Sequence, residues 1–87
     1  MSEHEIRERV RSFIIENFLY MRPDYVLDDD ERLIQRAVMD SLGVMELVQH
    51  LEATFDIAVA DADVTEDNLG SVSAVVRYVC SRVSARA

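Results

Sequence analysis

Among its 87 residues the chain has one cysteine, one proline, two glycines, no tryptophan and no lysine. Cys80 alone cannot form an internal disulfide, which fits a reducing, cytoplasmic setting. No apolar run approaches the roughly 18 residues that a membrane-spanning helix needs. The opening Met1-Ser2-Glu3-His4-Glu5 is polar and mixed in charge, unlike a signal peptide. His4 and His50 lie far apart, without companions at metal-ligand spacing. Asp61-x-Asp63 begins like a calcium loop, but Glu66 stands where glycine is needed and Val72 where the bidentate glutamate belongs. No metal site is expected.

Charge is abundant but uneven. The net charge is −8. Residues 1–23 balance, residues 24–67 hold thirteen acids against Arg32 and Arg36, and the tail carries Arg77, Arg82 and Arg86. Such a central acidic belt repels nucleic acid and anionic membrane, and steers basic partner surfaces toward it. The same acidity also serves plain solubility.

Helical spacing dominates the pattern. Ile6, Val10, Phe13, Ile14 and Phe18 recur on one face, with Ser2 and Glu5 forming a capping box. Pro23 bars continuation, so this helix is expected to end near Tyr20 or Met21. Residues 21–39 form a long connection. Asp28 and Glu31 suggest a second capping box, and Leu33, Ile34, Ala37 and Val38 are expected to pin the loop, with Asp28, Asp29 and Asp30 in solvent. A second helix is expected from Ser41 to Phe55, with Val44, Leu47, Val48, Leu51 and Phe55 on its core face. Leu42, Met45, Gln49 and Ala53 then point away, with Glu46 and Glu52 beside them.

Asp56–Ala60 alternates like a strand, but a lone strand has no partner. Ile57 and Val59 are instead expected to lie across the core. Thr65 caps a single turn through Leu69, and Ser71 caps a last helix that buries Val72, Val75, Val76, Val79 and Val83. Cys80 lies near the edge of that face. The expected architecture is all-α: one domain over residues 1–87, a small bundle of three main helices and one short one.

The chemically suggestive point is Val38-Met39-Asp40-Ser41-Leu42-Gly43-Val44. Asp40 is a good N-cap residue, which puts Ser41 in the first helical turn, where the helix dipole favours an attached anion. As a nucleophile Ser41 fares poorly. It half matches G-x-S-x-G, with Met39 in the first glycine position, and that motif requires a sheet domain. His50 is the nearest base, yet it lies about 180° around the same helix. No catalytic residue is expected. Serine is also a common residue at helix starts, so the dipeptide alone does not decide its role.

Asp40 to Val48, with Leu51-Glu52 and Phe55-Asp56-Ile57, resembles the second helix of acyl carrier proteins. Asp61-Ala62-Asp63-Val64-Thr65, the closing valine-rich helix, the length and the acidity resemble that family too. The resemblance implies a four-helix acyl-carrier bundle without catalysis of its own. It implies that a phosphopantetheinyl transferase moves 4′-phosphopantetheine from coenzyme A onto Ser41, with Asp40 assisting. The arm's thiol then holds an acyl or aminoacyl group as a thioester for fatty-acid, polyketide or other specialised biosynthesis. Leu42, Met45, Glu46, Gln49 and Glu52 fall where such carriers meet partners: an acyl- or aminoacyl-adenylating ligase, a ketosynthase or an acyltransferase.

Two departures stand out. Arg36-Ala37-Val38-Met39 has no glycine ahead of Asp-Ser, and Gln49 stands where many fatty-acid-synthesis carriers have an apolar residue. The Met39–Val48 run is closer to discrete carriers fed by adenylating ligases. A monomeric cytoplasmic carrier is expected. The same residues would also suit a helical adaptor that lacks the arm and binds through Leu42, Met45 and the acidic belt.

Overall fold

A computed structural model describes residues 1–86. Four α-helices make up the frame: α1 (Glu3–Phe18), α2 (Ser41–Phe55), α3 (Glu66–Leu69) and α4 (Val72–Arg86), with a 3-10 turn at Asp61–Asp63. The described residues contain no strand. None of these helices is long and apolar enough to cross a membrane.

Each helix starts where its cap dictates. Ser2 accepts the Glu5 amide at 3.2 Å, Thr65 the Asn68 amide at 3.3 Å, and Ser71 the Ala74 amide at 3.1 Å. The core forms where three apolar faces meet. Ile6, Val10 and Ile14 of α1 meet Leu47, Val48, Leu51 and Phe55 of α2 and Val72, Val75, Val76 and Val79 of α4, all buried. Ala74 and Tyr78 are buried on α4 as well, beyond the valine stripe. Val59 closes the core below α2, with Ile57, Val44 and Val83 partly buried against it.

Helix α1 ends at Phe18, earlier than the position of Pro23 suggests. Leu19 leaves helical geometry and buries its side chain, which outweighs one more turn of helix. The long connection that follows contains no helix. Residues 33–37 make a single turn, in which Leu33 and Val38 are buried while Ile34 and Ala37 face outward. Leu27 and Met39 are its other anchors.

Backbone bonds fasten this loop to the distant end of the chain. The Leu33 amide donates to the Gly70 carbonyl at 2.9 Å, and the Ser73 amide donates to the Asp29 carbonyl at 2.9 Å. Asp29 is not in solvent, contrary to expectation. Its carboxylate takes Arg7 at 3.1 Å and Arg11 at 2.5 Å, and Arg11 also donates to the Leu27 carbonyl. Two arginines from α1 outcompete water there because they approach one carboxylate from one helix face. Asp28 and Asp30 do remain exposed. Glu31 accepts the Asp28 amide at 2.7 Å, as its spacing suggests, and also accepts from the Tyr25 hydroxyl.

Candidate functional site

Helix α2 begins at Ser41 because Asp40 stops the chain in extended geometry and turns its carboxylate back onto the helix. Asp40 Oδ1 accepts the Gly43 amide at 2.8 Å, and the Asp40 carbonyl accepts the Val44 amide at 3.1 Å. The amides of Ser41 and Leu42 are left without a partner among the described residues, and so is the Ser41 hydroxyl. An exposed hydroxyl beside unpaired amides at the positive end of a 15-residue helix suits a phosphodiester.

Among the described residues no base is hydrogen-bonded to that hydroxyl. His50 lies nine residues along α2, about 13.5 Å of axial rise from Ser41. Its ring stacks on Phe13 of α1 at 4.0 Å between centroids, and Thr54 Oγ1 lies 3.3 Å from Nδ1. Partial burial there lowers the imidazole pKa. His50 therefore belongs to the seam between α1 and α2, not to the site.

The residues read as partner-facing separate into two groups. Leu42 (70% exposed) and Met45 (45% exposed) stand beside Ser41, and Glu46 and Gln49 are exposed on the same helix. Glu52 is tied down instead: its carboxylate accepts the Val59 amide at 3.0 Å and holds the segment after α2. Asp40 and Glu46 keep the surroundings acidic. Arg32 reaches Glu66 at 3.7 Å on the far side of the site, an exposed pair of small energetic weight.

Two grooves open on either side of Ser41. One, of about 600 Å³, runs between the end of α1 and the start of α2 and includes Asn17, Phe18, Ile34, Leu42 and Glu46. The other, of about 420 Å³, lies between α2 and α3, walled by Ile34, Val44, Met45, Val64 and Leu69. Ile34 borders both grooves, as Ser41 does. Sequence reading missed Ile34, Asn17 and Val64 as site residues. Ile34 falls in a non-periodic loop, and its exposure (48%) was the only available clue, visible after folding.

The wall opposite Val44 depends on a contact far along the chain. The Tyr78 hydroxyl of α4 donates to Asp63 Oδ2 at 2.7 Å, and Asn68 Nδ2 donates to the Asp63 carbonyl at 3.0 Å. These bonds hold the 3-10 turn and α3 in place. Burial, then the Asp63 carboxylate, raises the Tyr78 pKa and keeps the phenol protonated as a donor.

The model of the phosphopantetheine attachment site family matches residues 14–79, which contain α2, α3 and both grooves. The chain belongs to this phosphopantetheine-attachment family. Its cofactor is covalent 4′-phosphopantetheine, and the family is a carrier domain, not a catalytic one. Among relatives, the D-alanyl carrier proteins of Streptococcus pyogenes serotype M5 (strain Manfredo) and serotype M49 (strain NZ131) are each 40% identical over 50 residues. That match takes in 58% of this chain and 63% of each relative, so it spans less than two thirds of their length.

Proposed function

We propose that this protein is a discrete, single-domain carrier that bears 4′-phosphopantetheine on Ser41 and presents an acyl or aminoacyl thioester to partner enzymes. One observation carries the reading: the Ser41 hydroxyl is exposed and unpaired at the first position of α2, within the family-matched segment. The arm supplies a terminal thiol, and the thioester formed on it has an electrophilic carbonyl that partner enzymes attack. The chain's own residues orient and present. Asp40 fixes the helix start and so the direction of the Ser41 Cα–Cβ bond. Leu42, Met45, Glu46 and Gln49 offer a mixed apolar and acidic surface to a phosphopantetheinyl transferase and to the enzymes that load and unload cargo.

An aminoacyl cargo delivered by an adenylating ligase is the finer reading. Similarity to D-alanyl carrier proteins and the polar Gln49 on the partner-facing side of α2 support it. The unpaired, half-buried thiol of Cys80 is compatible with a reducing compartment such as the cytoplasm.

Intact-mass measurement tests the attachment. Incubation with coenzyme A and a permissive transferase should add the mass of one phosphopantetheine to the wild-type chain and none to Ser41→Ala. Equal labelling of both chains would move the attachment elsewhere. No labelling of either would leave a helical adaptor that binds through Leu42 and Met45. Offering a panel of amino acids and fatty acids to the cognate ligase then reads the cargo class.

A further inference from the structure

The two grooves at Ser41 differ in chemistry. The α2–α3 cleft is walled by Ile34, Val44, Met45, Val64 and Leu69, with Thr65 and Glu66 among its few polar side chains. Glu66 is already engaged by Arg32. The α1-side groove mixes the apolar Phe18, Ile34 and Leu42 with Asn17, Asp40 and Glu46. Away from the head of α2, where the Ser41 and Leu42 amides face the attachment point, its unused side-chain groups are mostly acceptors. Asn17 gives one of its two Nδ2 hydrogens to the Phe13 carbonyl at 2.9 Å, which leaves its Oδ1 acceptor open, and the Glu46 carboxylate has no partner among the described residues. The outward C=O of Ala37 is occupied by Arg22 at 3.0 Å.

A pantetheine chain carries two amide N–H groups and a hydroxyl as donors, beside a geminal dimethyl group. Donors placed in the apolar cleft would lose water with few acceptors in return. In the α1-side groove they meet acceptors, and the dimethyl group meets apolar side chains. We propose that Asn17 and Glu46 hold the pantetheine segment of the arm in the α1-side groove, accepting hydrogen bonds from its amides while Phe18, Ile34 and Leu42 pack against its apolar part. This rests on Ser41 being the attachment point. The cleft between α2 and α3 is then left free of the arm's amide segment. Asn17 is a positioning residue here, on a helix that otherwise only supports the site.

Nuclear magnetic resonance of the ¹⁵N-labelled chain, apo and pantetheinylated, tests this, with intact mass confirming one arm per chain. Attachment should shift the Asn17 side-chain amide and the backbone amides of Phe18, Ala37 and Glu46. In Asn17→Ala carrying one arm per chain by intact mass, the arm-dependent shifts at Phe18 and Ala37 should shrink toward zero. Shifts confined to Asp40–Gly43, or falling on Val64, Thr65 and Leu69, would overturn the inference while leaving the carrier reading intact. Undiminished shifts in Asn17→Ala would remove Asn17 from it. Failure to gain the arm's mass would sink the carrier reading, and this inference with it.

Discussion

Phe18 occupies the space that a side chain on Gly43 would need. A Cβ on Gly43 would lie 2.8 Å from Phe18 Cε1 and 3.1 Å from Met39 Cβ. The end of α1 can therefore press against the first turn of α2, two residues from Ser41. An alanine there would gain about 1 kcal/mol of helix propensity. Overpacking between a ring and a backbone-attached carbon costs about 1–3 kcal/mol. The clash should win, because Met39 Cβ, which is attached directly to the backbone, crowds the new methyl as well as the ring. Gly43→Ala is expected to lower the melting temperature and slow pantetheinylation. A rise would show that the ring yields.

Ala37 sits in left-handed geometry with φ 59°, a conformation that disfavours a Cβ. The glycine absent from the sequence ahead of Asp-Ser is one whose freedom this backbone could use. The turn is held by the Val38 amide on the Leu33 carbonyl at 2.8 Å and by Arg22 on the Ala37 carbonyl. Relief of strain should exceed the added unfolded-state entropy, so Ala37→Gly should stabilise by about 0.5–1 kcal/mol. Denaturant midpoints measure it, and a loss of stability would contradict the strain.

Asp40 satisfies the amide of Gly43, one of the unpaired donors of α2. Asp40→Ala should cost about 0.5–2 kcal/mol of stability. No measurable change in chemical denaturation would argue against the cap. Asp40→Asn, which retains the acceptor oxygen, should recover most of the loss.

Leu42 and Met45 contribute little to the core, since both are exposed. Leu42→Asp and Met45→Glu should leave the helical circular-dichroism signal and the melt nearly unchanged, while loading by the transferase and the ligase slows. Unfolding of either variant would show that α2 is rotated relative to the orientation described.

His50 links stability to pH. Its imidazole takes up a proton near 6.5 in the unfolded chain and at lower pH in the folded one, because partial burial opposes the charge. Between those values the unfolded state binds more protons. Its share of stability is full above 6.5 and is lost as the pH falls through the folded value. His50→Phe keeps a ring against Phe13, so its stability should fall less than wild type over that window. Equal slopes in urea melts would exclude His50 as the cause.

Local patterns foretold the parts of this molecule that local physics governs. Ser2, Asp40, Thr65 and Ser71 each cap the helix their spacing indicated. Val72, Val75, Val76 and Val79 of α4 and Leu47 and Leu51 of α2 are buried as their periodicity required, Val83 is only partly buried, and Leu42 and Met45 face outward. The connection between α1 and α2 was less legible. Leu19 turns inward, Ile34 outward, and Asp29 joins two arginines, because those fates depend on where α1 and α4 pass in space.

The sequence by itself determined that α2 begins at Ser41 beneath an aspartate cap, because capping is settled within three residues by short-range hydrogen bonds. It also determined the helical class, through periodic apolar faces that must be buried together. Only the tertiary structure decided what surrounds Ser41. Phe18 comes from α1, Ile34 from the loop, and Val64 and Leu69 from a segment that Tyr78 of α4 holds through Asp63. These residues meet because the loop and α3 are tied to α4 by long-range bonds, which no local pattern encodes.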